Sequence, residues 1–90
     1  MHHLNFRLTA ESNKWGPGTI QFVGIGNYPD GALVNINFTI TSGPTPRFLG
    51  WYDDVDGTIP STAVLSSHTQ QANSISISGS EVVLFCKLAP

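Results

Sequence analysis

The sequence is short of charge. Of its 90 residues, four are Lys or Arg and six are Asp or Glu, so charged residues make up 11% of the chain. An average soluble domain carries roughly 25%. Net charge is −2 and no basic block occurs, which argues against nucleic acid and against an anionic membrane surface as partners. Cysteine is scarcer still: Cys86 stands alone, so no intramolecular disulfide holds the fold. Long apolar runs are absent too. The longest, Val82 to Cys86, falls far short of the roughly 20 residues a membrane-spanning helix needs. The opening Met1-His2-His3-Leu4-Asn5-Phe6-Arg7 lacks the basic start and apolar stretch of a secretory signal. The expectation is a protein that works where it is made, or a domain cut from a longer chain.

What is present is Ser (9), Thr (8), Asn (6), Gly (9) and Pro (6), set among alternating apolar residues. A period of two indicates half-buried strands. Leu4, Phe6, Leu8 and Ala10 alternate with Asn5, Arg7 and Thr9, predicting a first strand. Thr19 to Ile25 predicts a second, and the two are expected to pair as a hairpin across the loop ending Gly16-Pro17-Gly18. Tyr28-Pro29-Asp30-Gly31 reads as a turn, with the glycine free to take positive φ. Val34, Ile36, Phe38 and Ile40, interleaved with Asn35, Asn37, Thr39 and Thr41, give the strongest strand.

Arg47–Tyr52 is a short aromatic strand running into the acidic turn Asp53-Asp54-Val55-Asp56-Gly57. Residues 58–73 fit either a short strand or one helical turn. Ser74–Ser78 alternates again, and its uncharged edge invites a neighbouring chain. Glu81–Leu88 is apolar on both faces, as in a central strand. The fold expected is therefore mainly β: one domain, 1–90, of six or seven short strands, β-grasp-like or a compact β-sandwich, with no major helix. Phe6, Phe22, Ile36, Phe38, Phe48, Trp51 and Leu84 are its expected core.

Several of these pieces follow one another in a known order. Phe6-Arg7-Leu8-Thr9 leads to Gly18-Thr19-Ile20, then Tyr28-Pro29-Asp30-Gly31 opens the alternating strand. Phe48-x-Gly50-Trp51 precedes the acidic turn, and Val83-Leu84-Phe85-Cys86-Lys87-Leu88 closes the chain. Over residues 6–88 this resembles, in divergent form, the internalin-type B-repeat family of bacterial surface proteins. Cys86 stands where that family prefers Ala and Leu88 where it prefers an aromatic. Residues 58–73 are longer and richer in Ser and Thr than a typical repeat. The resemblance implies a small grasp-like sheet domain, usually in tandem, that spaces or binds without catalysis.

Chemistry-bearing residues are few. Asp53, Asp54 and Asp56 form the one acidic cluster, without the alternating series and distal Glu of a calcium loop. His2, His3, His68 and Cys86 lack zinc-site spacing. A triad drawn on paper through His68 has no activated Gly-x-Ser-x-Gly turn to support it, and Gly24-x-Gly26 lacks the third glycine of a phosphate-binding turn. Asn37-Phe38-Thr39 matches a glycosylation triplet in mid-strand. No catalytic residue, cofactor or metal ligand is therefore predicted. Trp15, in its Gly/Pro loop, and Tyr52, Asp53 and Asp54, at the acidic turn, are the candidate interaction surface, although for the two aromatics a self-packed loop is the favoured reading. A non-enzymatic module of a larger assembly is expected, such as a bacteriophage capsid decoration or tail-associated protein in the virion. It would be present in repeated copies or as a homo-oligomer, with a protein partner. The alternative is a bacterial cell-surface adhesin repeat that binds glycan or protein as part of a longer secreted chain.

Overall fold

The alternating run that starts at Leu33 becomes the longest strand among the described residues. In the computed structural model, which describes residues 5–90, the elements are β1 (Asn5–Ser12), β2 (Thr19–Val23), β3 (Gly26–Pro29), β4 (Leu33–Ser42), β5 (Arg47–Tyr52), β6 (Asn73–Ser76) and β7 (Val82–Ala89). No helix occurs among the described residues. The mainly β class is thus as expected, and of the two architectures weighed the structure adopts the sandwich. One sheet has the order β3-β1-β7-β5 and the other the order β2-β4-β6. All pairings are antiparallel except β1 with β7, which run parallel from Leu8↔Val82 to Ser12↔Cys86.

Burial follows the period of two. In β4, Val34, Ile36 and Phe38 are buried while Leu33, Asn35 and Thr39 face out. In β7, Leu84, Cys86 and Leu88 are buried, and this strand lies between two others, as its apolar character predicts. Aromatic rings from the two sheets meet between them. Phe38 of β4 lies 5.5 Å from Phe48 and 6.2 Å from Trp51, both on β5, and Phe22 of β2 lies 6.2 Å from Trp51. Of the expected core, Ile36, Phe38, Trp51 and Leu84 are fully buried, while Phe6, Phe22 and Phe48 are half-buried against it.

Three expectations need correction. β1 and β2 do not form a hairpin: β1 pairs with β3 and β7, and β2 pairs with β4 in the opposite sheet. The intervening loop crosses between sheets because Asn13 extends the parallel ladder. Its side-chain Oδ1 accepts from the Leu88 amide at 2.6 Å and its Nδ2 donates to the Leu88 carbonyl at 2.8 Å. Second, the run Thr19–Ile25 is split at Gly24. Gly24 has φ +98°, and a Cβ there would collide with the Asn35 carbonyl oxygen. The chain emerges as the separate short strand β3, ahead of a turn closed by the Ala32 amide on the Pro29 carbonyl at 3.1 Å, with Gly31 at φ +84°. Third, residues 58–72 form neither a strand nor a helical turn. They are a strap touching the sheets through two isolated bridges, Tyr52↔Pro60 and Val64↔Ile75.

Candidate interaction surface

The four residues singled out from the sequence lie in three different settings. Trp15 is not a surface aromatic: it is 7% exposed and belongs to the core cluster. The glycines around it explain this. A Cβ at Gly18 would come within 2.8 Å of the indole Cζ2, so the Gly/Pro loop closes over the ring. Tyr52, at the end of β5, is half-buried. His68 stands edge-on to its ring at 5.5 Å, and the Lys87 ammonium lies 5.5 Å from the ring centre. Asp53 is exposed, and its backbone amide donates to the Ile59 carbonyl at 2.8 Å.

Asp54 organises the turn from within. Its carboxylate accepts from the Thr58 hydroxyl at 2.5 Å, the Thr58 amide at 2.9 Å and the Ile59 amide at 2.8 Å. A short side chain that bonds backbone amides a few residues ahead is the usual device for fixing such a loop. These bonds, the Thr58 hydroxyl foremost, hold its pKa below the ordinary value of 3.8. Because the folded value is depressed, the stabilisation is present above that ordinary value and is lost as pH falls through the lowered one. Replacing Asp54 with Ala is expected to speed amide hydrogen exchange at Thr58 and Ile59 with little change in global unfolding. In the wild type the same loosening should appear only in acid, as pH falls through the lowered value. Equal protection of both amides in the variant would contradict this role.

The strap that begins here covers one edge of the four-stranded sheet. The Trp51 amide donates to the His68 carbonyl at 2.8 Å, the Ser61 amide to the Trp51 carbonyl at 3.0 Å, and the Trp51 indole to the Gln71 carbonyl at 3.1 Å. Lys87 donates to the Gly57 carbonyl at 3.1 Å, and a side chain at Gly57 would strike the lysine stem. The strap then covers β6, where the Leu65 amide donates to the Ser74 carbonyl at 2.8 Å. The Ser74–Ser78 edge expected to be open is therefore partly capped.

Sequence reasoning did not single out the outer face of β2-β4-β6. All ten charged residues lie off these three strands. Register places Gln21 beside Thr39, Val23 beside Asn37 and Asn35 beside Ser74 on that face. A shallow groove of about 430 Å³ runs across it, with Asn35 and Asn37 as floor and Val23, Ser66, Gln70 and Ser74 among its walls. The amide oxygens of the floor are already engaged. Asn35 Oδ1 accepts from Ser74 Oγ at 2.9 Å, and Asn37 Oδ1 accepts from the Phe38 amide at 2.7 Å and from Gln71 Nε2 at 3.0 Å. The signal available in the sequence was the pair of asparagines in the best strand, since Asn is depleted there.

Among the described residues, no chemistry-bearing cluster faces this surface. Burial pushes the Cys86 thiol up to about 12, which keeps it protonated and poorly nucleophilic. Among the described residues, no group of three or more His, Cys, Asp or Glu side chains is placed to hold a metal ion. No family model matches the chain, and neither does any curated protein or solved structure.

Proposed function

We propose that the protein is a non-enzymatic structural module that docks onto a larger protein assembly through the uncharged outer face of β2-β4-β6. One observation carries this reading: none of the ten charged side chains lies on these three strands, whose outer face presents amides, hydroxyls and a few aliphatic side chains. Burying such a surface avoids the large desolvation cost of ionised groups. A bacteriophage capsid or tail, built from many copies of a few subunits, is an assembly of this kind. Glycan recognition on a cell surface has less support, because Trp15 is buried and the Tyr52 ring is already flanked by His68 and Lys87.

Co-expression with the products of the genes flanking its own tests the proposal. A flanking product should co-purify with the wild type and with Arg47→Glu, on the opposite sheet. Thr39→Lys, which puts a charge in the middle of the neutral face, should weaken capture at least about tenfold. Equal capture by Thr39→Lys and wild type would rule out this face.

A further inference from the structure

We propose that the free edge of β2 pairs with β2 of a second copy of this chain, antiparallel and centred on Gln21, joining two three-stranded sheets into one of six strands. The inference rests on the assembly reading above and specifies one contact within it. An unpaired sheet edge is a template for another strand, and the other edges of this molecule are covered or cut short. The outer edge of β5 is bonded to the strap at Trp51 through both its amide and its carbonyl, as is the chain just past it at Asp53. The edge of β6 is bonded to it at Ser74. β3 is only four residues long and ends at Pro29, which has no N–H to offer.

β2 has none of these devices. It forms the end of its sheet, has no charged residue and no proline, and its free edge meets no backbone partner among the described residues. Its one irregularity lies between Thr19 and Ile20; from Ile20 to Val23 the ladder to β4 is regular.

The strand is also complementary to itself. A two-fold axis through Gln21 would set Ile20 against Phe22 of the second copy, and Thr19 against Val23. Ile20 and Phe22 point toward the core yet stay half-buried, so pairing would cover apolar surface left partly open in the single chain. Val23 is 53% exposed, and nearby Ile25, just beyond the strand, is 49% exposed. Charge does not oppose this partner at the contact itself. Each copy carries a net −2, but no charged residue lies on the three strands that would meet, so no like-charge pair opposes closure. The contact is about 17 Å long by strand geometry and small, which places it at the weak end of specific interfaces. It would act chiefly where copies are already concentrated on an assembly.

Sedimentation equilibrium of the purified chain tests this. Reversible dimerisation is expected with a dissociation constant of about 0.1–1 mM, with amide signals of Thr19–Val23 shifting as concentration rises. Gln21→Lys and Gln21→Glu each place like charges opposite one another and should weaken self-association at least about tenfold. Gln21 is exposed, so thermal unfolding of both variants should match the wild type. An equimolar mixture of the two should restore dimerisation. A wild type that stays monomeric to about 1 mM, variants that associate as the wild type does, or a mixture that fails to recover would each overturn the pairing. If a flanking product is still captured in that case, this contact falls and the docking face stands.

Discussion

Replacing Trp51 with alanine is expected to destabilise the protein by about 3–5 kcal/mol, a large share of the roughly 5–15 kcal/mol that holds a small domain together. Trp51 is 0% exposed and lies where both sheets meet the strap. Phe48 stands edge-on to it at 5.7 Å, Phe38 at 6.2 Å, and Phe22 is tilted against it at 6.2 Å. Its indole N–H also holds the Gln71 carbonyl at 3.1 Å. Truncation therefore leaves a cavity between the sheets and an unpaired strap carbonyl. Trp51→Phe should recover much of the packing and none of the hydrogen bond. Chemical denaturation followed by far-UV circular dichroism is the suitable measurement, because Trp15 confounds fluorescence. A loss below about 1 kcal/mol would show that the ring is not the centre of the core.

The second large effect is expected at Asn73. This side chain is 5% exposed and makes four bonds, three of which join the strap to β6. Its Oδ1 accepts from the Ser66 amide at 3.0 Å and the Ser74 amide at 2.9 Å. Its Nδ2 donates to the Ser67 carbonyl at 2.9 Å and the Gln70 carbonyl at 3.3 Å. Each buried group left unpaired costs roughly 1–3 kcal/mol, and water reaches some of these once the side chain is gone. Asn73→Ala should therefore cost about 3 kcal/mol in all. Asn73→Asp keeps the acceptor and loses both donors, so it should retain protection of the Ser66 and Ser74 amides while still losing stability. Wild-type exchange at Ser66 in the alanine variant would refute the role of Asn73 in holding the strap.

Much of the fold was legible because it is local. The alternation in β4, the Pro29-Asp30-Gly31 turn and the apolar character of β7 follow from side-chain period and backbone preference. Pairing was less legible. A glycine-rich loop between two strands suggests a hairpin, but β1 takes its partner from the far end of the chain, and Asn13 secures that choice across 75 positions. β3 escaped notice because four residues beginning in glycine and ending in proline resemble a break. The strap was opaque for another reason: it is held largely through backbone carbonyls, such as those of His68 and Gln71, which any residue supplies. For the loop aromatics the sequence offers both a self-packed loop and a recognition surface, and Trp15 takes the packed form. Trp15 amid Gly, Pro and Lys looks external, and only the closing of that loop places it inside. The neutral face is written in the sequence as an absence of charge, but register was needed to gather its side chains on one side.

The parallel pairing of β1 with β7 also has a mechanical meaning. Asn5, at the start of β1, and Ala89, at the end of β7, lie toward opposite ends of two neighbouring strands that run the same way. Tension applied between them pulls these strands past each other rather than apart. The rungs from Leu8↔Val82 to Ser12↔Cys86, together with the Asn13 amide bonds to Leu88, then bear the load at once and not one after another. A unit held from both ends is braced by this geometry along the line of pull.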